Sequence, residues 1–140
     1  MADRFSEEQR SYVMSRIKSK DTKPEMILRK SLHELGFRYR LHSSDLPGKP
    51  DMIFPKFRIC IFVHGCFWHR HEGCPRSTMP KTNTLFWQEK FHRNKNRDIE
   101  NVIRLIDLGW RVEIVWECEL STHEKRLHVI DKLSRLLVNR

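Results

Sequence analysis

Apolar positions along the chain follow two periods, and the order in which those periods alternate lays out an α/β arrangement. Ser6-Glu7-Glu8-Gln9 has the form of a capping box, and Tyr12, Val13, Met14 and Ile17 after it predict a short amphipathic helix over about 6–18. Thr22-Lys23-Pro24-Glu25 repeats the signature, with Thr22 as N-cap, Pro24 in the first turn and Glu25 reaching back. Ile27, Leu28, Leu32 and Leu35 follow at helical spacing, and Gly36 stops the helix. Phe37-Arg38-Tyr39-Arg40-Leu41 alternates as a strand does. The turn-rich Leu46-Pro47-Gly48-Lys49-Pro50 leads into Asp51-Met52-Ile53-Phe54; after Pro55-Lys56 comes the apolar run Ile59-Cys60-Ile61-Phe62-Val63, ending at His64. These two segments predict adjacent strands joined as a hairpin. A long helix is expected over about 83–108, with Leu85, Phe86, Phe91, Ile99, Val102, Ile103 and Ile106 as its apolar positions and Gly109 as its end. Trp110, Val112, Ile114 and Trp116 alternate as a last strand, and Leu127, Ile130, Leu133 and Leu137 form a closing helix after Ser121 or Thr122. Phe86, Trp87, Trp110 and Trp116 are expected in the core. The sum is α/β, a mixed central β-sheet flanked by helices.

Composition narrows this picture. A chain of 140 residues with 39% hydrophobic content and no repeat fits one domain, 1–140, around a single core. Lys and Arg number 27 against 18 Asp and Glu, a net charge of +9 that favours a polyanionic partner such as nucleic acid. The basic stretch His92-Arg93-Asn94-Lys95-Asn96-Arg97 is either a solvated helix face or a track for a phosphate backbone. No apolar run approaches the ~20 residues that span a bilayer, and the polar N-terminus lacks the form of an export signal, so a cytoplasmic protein with no membrane partner is expected.

Cysteines in a reducing compartment serve as metal ligands or free thiols more often than as disulfides. Cys60 lies inside an apolar run and reads as a small buried thiol. The others fall in or near the densest stretch of chemistry in the chain, Val63-His64-Gly65-Cys66-Phe67-Trp68-His69-Arg70-His71-Glu72-Gly73-Cys74. Cys66, His71 and Cys74, closed by the distant Cys118, make a four-ligand set of the structural Zn²⁺ type; His69 could replace His71. A second constellation is Pro50-Asp51 with Phe62-Val63-His64 on the neighbouring strand. Mg²⁺-dependent nucleases place an Asp at the start of one strand, with ligands or a cationic group on the next. Here His64 stands where a lysine is usual, and Phe62 stands where a carboxylate is usual. The missing oxygen is then supplied by the backbone carbonyl of Val63, which a hard cation accepts. The plainer reading of Asp51 is the start of a strand after a proline turn.

Together these residues resemble the very short patch repair endonucleases, the DNA mismatch nicking enzymes of bacteria. The resemblance rests on Met14 with Ile17, Asp21-Thr22 and Glu25, Leu46 to Asp51, His64-Gly65-Cys66-Phe67-Trp68-His69 with His71 and Cys74, Phe86-Trp87, and Leu108 to Val112 through Val115 to Cys118. It implies a restriction-endonuclease-like core with one structural Zn²⁺ and two catalytic Mg²⁺ ions. It also implies a strand-specific nick 5′ of the thymine in T·G mismatches left by 5-methylcytosine deamination. On matching positions it makes Asp51 the central Mg²⁺ ligand with the Val63 carbonyl, and Glu25 a helper acting through metal-bound water. His69 would assist the attacking water, and His64 the scissile phosphate or leaving oxygen. Phe67, Trp68 and Met14, the last from a DNA-contacting N-terminal segment of about 1–20, would be wedges beside the mismatch, a role favoured where stacking is already weak. The partner that the resemblance implies is double-stranded DNA with a T·G mismatch, together with mismatch-repair proteins. A monomer near the nucleoid is expected, since the lesion has no two-fold symmetry. Two other readings stay open: a non-catalytic zinc-stabilised DNA-binding module, and a restriction-type nuclease cutting matched sites.

Overall fold

The computed structural model describes residues 21–138. The expected helix over about 6–18, and Met14 with it, lie outside the described residues. The elements run α1 (Lys23–Glu34), β1 (Arg40–Leu41), β2 (Met52–Phe54), β3 (Ile59–His64), α2 (Thr84–Asp107), β4 (Arg111–Trp116), a 3₁₀ turn (Glu117–Leu120) and α3 (His123–Val138). The sheet order is β1-β2-β3-β4. β1–β2 and β2–β3 are antiparallel, and β3–β4 is parallel with Ile59 opposite Arg111 and His64 opposite Trp116. The sheet is mixed and flanked by helices, as the pattern predicts.

Strand parity divides the core between two faces. Ile59 and Ile61 join Met52, Phe54 and Val115 on one side, where Leu28 and Leu32 of α1 and Val129, Leu133 and Leu137 of α3 cover them. Cys60 and Phe62 face the other way with Ile53, and pack against Leu105 and Trp110. Burying a Leu or Phe side chain contributes roughly 1.5–3 kcal/mol. β3, with five of its six residues buried, is therefore the strand about which both layers are built.

Local signals account for most boundaries. The Thr22 side chain accepts from the Glu25 amide at 3.4 Å, Pro24 sits in the first turn, and Gly36 takes φ +95° just past the end of α1. Glu25, however, does not close a capping box on Thr22. Its Oε1 accepts the Asp21 amide instead, at 3.0 Å. The segment 37–41 is also shorter as a strand than its alternation predicts: only Arg40 and Leu41 pair, opposite Ile53 and Met52. Tyr39 packs edge-on to Phe54 and donates to the Arg29 carbonyl at 2.9 Å, so packing holds this stretch where the ladder has ended.

α2 departs most from expectation. Phe86 is 49% exposed, and Leu85, Ile99, Ile103 and Ile106 are also exposed, whereas Trp87, Phe91 and Leu105 are buried. The inward face is therefore rotated relative to the one read from the isoleucines, and Phe86 is not a core residue. Trp116 is also not in the core; half-buried, it lies between two imidazoles. Trp87 and Trp110 are buried as expected.

Candidate active site

The C-terminal end of β3, the start of β2 and the middle of α2 enclose an open cleft of about 840 Å³. Asp51, Val63, His64 and His69 all line it, so four residues singled out in the sequence converge. Lys49 and Arg97 supply cations to its walls. Gly48 takes φ +75° against α2, and a Cβ there would come within 2.9 Å of Asn101, so the loop before Asp51 needs a glycine to lie this close.

Asp51 is fixed across the hairpin: its Oδ2 accepts the Val63 amide at 2.6 Å. Burial, and then the neighbouring Glu25 charge and hydrogen bond, push its carboxyl up to about 7 despite that amide. A buried carboxyl, Glu25, and a half-buried one, Asp51, in contact resist joint ionisation unless positive charge compensates them. The Asp51 carboxyl and the Val63 carbonyl at this cleft are the kind of oxygen donors that a hard divalent cation such as Mg²⁺ accepts.

His64 and His69 lie face to face, with centroids 3.8 Å apart and planes 7° from parallel. His64 is buried between Phe62 and Trp116, and burial with the adjacent His69 pushes it down to about 4, so it is neutral at pH 7. His69 is held differently: its Nδ1 lies 2.6 Å from Asp98 Oδ2 of α2. A carboxylate on Nδ1 selects the tautomer whose free lone pair is on Nε2, the arrangement of an oriented general base.

Asp98 was not among the residues predicted from sequence. It follows directly on the basic stretch 92–97, which draws attention to charge rather than to phase. A signal existed: Phe91 and Leu105, both buried, stand seven residues before and after it, so Asp98 is an acid on the inward stripe of α2. His42 was missed as well. Its Nε2 lies 2.7 Å from Glu25 Oε2, and nothing in its local sequence brings the two together.

Beside the cleft, Cys66, His71, Cys74 and Cys118 have ligand atoms all within 4.8 Å of one another. His71 Nδ1 is 3.6 Å from Cys66 Sγ and 3.4 Å from Cys118 Sγ. A tetrahedral Zn²⁺ with ordinary bond lengths has S···N edges of about 3.5 Å, so the cluster is already at metal-binding size. His69 is committed to Asp98, and His71 is the imidazole in the cluster. The surrounding chain holds the knuckle: Glu117 Oε1 accepts the Cys66 amide at 3.0 Å, and the Ser77 hydroxyl donates to the Cys66 carbonyl at 2.7 Å. Trp116 stacks on His71 at 4.2 Å and 7°, and meets His64 edge-on at 5.3 Å.

Phe67 and Trp68, from the same loop, are half-buried and meet edge-on at 5.1 Å. Phe67 packs on Trp87 and Phe91, and the Arg70 guanidinium lies 4.1 Å from the Phe91 ring centroid. They form an aromatic cluster with the N-terminal half of α2.

An oriented imidazole beside paired carboxyls, in a cleft walled with cations, is the equipment of an enzyme that moves protons next to a polyanion. Comparison with known proteins identifies the polyanion. Residues 2–76 match the family described as DNA mismatch endonuclease Vsr. The chain is 49% identical over 121 residues to the type II nicking enzyme V.XorIIP of Xanthomonas oryzae pv. oryzae, covering 86% of this chain and 88% of that protein. It is 44% identical over 125 residues to the DNA mismatch endonuclease Vsr of Escherichia coli, covering 89% of this chain and 80% of that one. The chain belongs to the Vsr family of DNA mismatch endonucleases. It is an endonuclease that acts on DNA, and among its described residues no helix is long and apolar enough to cross a membrane.

Proposed function

We propose that the chain is a Mg²⁺-dependent, strand-specific nickase that cuts 5′ of the thymine in T·G mismatches arising from 5-methylcytosine deamination. The observation that carries this reading is the convergence of Asp51, His64 and His69 on one cleft in a member of the mismatch-endonuclease family. The core is read as restriction-endonuclease-like, the chain as a monomer, and the Cys66, His71, Cys74 and Cys118 cluster as the seat of one structural Zn²⁺.

Asp51 would hold Mg²⁺ together with the Val63 carbonyl, and Glu25 would assist through water. When bound, Mg²⁺ supplies charge neutralisation at the scissile phosphate and lowers the pKa of a nucleophilic water. His69 takes the proton from the attacking water on Nε2, while Asp98 stabilises the imidazolium that forms. His64, neutral and packed on His69, hydrogen-bonds the phosphate or the leaving oxygen and fixes the plane of the His69 ring. Lys49 and Arg97 attract the phosphate backbone. Phe67 and Trp68, with Met14 from the N-terminal segment, insert beside the mismatch, where weakened stacking lowers the cost of entry.

The test compares duplexes identical except for T·G or C·G at one position, incubated with Mg²⁺ and analysed strand by strand. Nicking of the thymine strand in the T·G duplex alone is expected, and Asp51→Ala should abolish it. Equal cleavage of both duplexes would overturn the mismatch-specific reading. Binding without cleavage, unaltered by Asp51→Ala, would favour a zinc-stabilised binding module.

A further inference from the structure

Glu25 is 1% exposed, and each of its oxygens is engaged. Oε1 accepts the Asp21 amide at 3.0 Å; Oε2 accepts Arg29 Nη1 at 3.1 Å and faces His42 Nε2 at 2.7 Å. These partners differ in origin. Asp21 and Arg29 belong to the same end of α1 as Glu25, and Arg29 is itself tied to Asp21 Oδ1 at 2.7 Å, so they fix the carboxylate relative to its own helix. His42 comes from the sheet.

His42 follows β1 directly, and its main-chain N–H donates to the Asp51 carbonyl at 3.2 Å. It adopts φ +47°, a left-handed conformation that a non-glycine residue keeps only where its surroundings hold it. His42 also lines the cleft with Asp51. One residue thus grips both acids, the backbone of Asp51 through its amide and the carboxylate of Glu25 through its ring.

We propose that His42 is a positioning residue of the nicking reaction: by hydrogen-bonding Glu25 from the sheet that carries Asp51, it sets the spacing of the two carboxyls. This rests on the reading of Asp51 and Glu25 as the acids of a Mg²⁺-dependent nuclease. On this proposal His42 acts through Glu25 rather than on the DNA or the reacting atoms. A misplacement of a catalytic group by about 1 Å can cost up to ~100-fold in rate, and the loss should appear in turnover and in Mg²⁺ requirement rather than in DNA affinity.

The experiment uses the full chain, with single-turnover nicking of a T·G duplex titrated with Mg²⁺ and duplex affinity measured separately. His42→Ala should slow nicking about tenfold and raise the half-saturating Mg²⁺ concentration about threefold or more, with duplex Kd unchanged within about twofold. His42→Gln, whose amide N–H can reach the same carboxylate, should restore most of the rate. In a Glu25→Gln background, His42→Ala should add less than about a twofold loss. A purely structural pin would instead give equal defects in His42→Ala and His42→Gln, or a loss undiminished in the Glu25→Gln background; either result overturns the proposal. Nitrogen-edited imidazole spectra of the Mg²⁺-free protein provide a readout independent of activity. The His42 Nε2–H resonance should lie downfield and move on Glu25→Gln, and failure to move would also refute the role. Wild-type protein that leaves the T·G duplex intact would refute the parent reading instead, while the spectra would still decide the His42–Glu25 contact.

Discussion

Asp98→Asn is the substitution that most directly probes how the cleft works. In the folded protein Asp98 Oδ2 lies 2.6 Å from His69 Nδ1, and the two side chains are 20% and 28% exposed. When His69 accepts a proton, the new cation sits with its charge centre about 4 Å from the carboxylate, an attraction of ~4 kcal/mol at an effective dielectric constant near 20. Partial exposure screens this to roughly 2 kcal/mol, equivalent to about 30-fold in rate. Asp98→Ala should lose about that much. Asp98→Asn should lose more, because an amide that donates to Nδ1 fixes the tautomer with hydrogen on Nε2 and removes the base, an effect worth ~10²–10⁴-fold. The assay is single-turnover nicking of a T·G duplex at saturating Mg²⁺, with duplex affinity measured in parallel. An Asp98→Asn protein that nicks within about threefold of wild type, while binding DNA normally, would refute the assignment of His69 as an Asp98-oriented base.

Three further outcomes follow from the packing. Elemental analysis should find one zinc per chain, and a strong chelator should expose the thiols of Cys66, Cys74 and Cys118 to a colorimetric reagent; zinc-free protein with an intact, protease-resistant 65–83 loop would count against the cluster. Cys118→Ala should release the metal and cost on the order of 10 kcal/mol, comparable to the whole stability of an ordinary fold, so urea denaturation should show a protein folded weakly if at all. Cys60 is fully buried, and burial pushes its thiol up to about 12 from an ordinary 9; the unfolded chain loses this proton first as pH rises, so the thiol's contribution is intact below pH 9 and is lost between 9 and 12, by up to roughly 4 kcal/mol. Denaturation midpoints should accordingly fall less steeply over that range in Cys60→Ala than in wild type, and parallel slopes would show that the thiol does not titrate this way.

What could be read in the sequence, and what could not, follows the distance over which each signal acts. Thr22, Pro24 and Gly36 bound α1 because capping is local, and the hairpin of β2 and β3 follows from a turn between apolar runs. Cys66, His71 and Cys74 announce themselves by spacing, and Cys118 could be added because it follows a recognisable strand. Phe86 and the exposed isoleucines of α2 misled for the opposite reason. A 24-residue helix is about 36 Å long, more than a four-stranded sheet of short strands can cover, so its apolar residues outnumber its buried positions. The spacing could place Asp98 on the inward face of α2, but the roles of Asp98 and His42 lay beyond reach because each depends on a partner, 29 residues away in one case and 17 in the other. Periodicity gives the face a residue occupies but not the residue it meets there.

Trp116 carries this reasoning one step further. Its indole stacks on His71 of the zinc-type cluster and meets His64 of the cleft edge-on, and β4 places it opposite His64 in the parallel ladder. The cluster and the cleft therefore share a wall. The loop that begins after His64 is pinned at Cys66 by the Glu117 carboxylate and, in the proposed holo state, by the metal; it then delivers His69 to Asp98 and Phe67 with Trp68 to the aromatic end of α2. In a segment so constrained at both sites, movement of the aromatics is coupled to the ring proposed as the base. Insertion of Phe67 and Trp68 at a mismatch would in that case be felt at His69 through a few residues of taut chain. A duplex that resists insertion would then leave the base displaced, which gives mismatch specificity in the rate of cleavage as well as in binding.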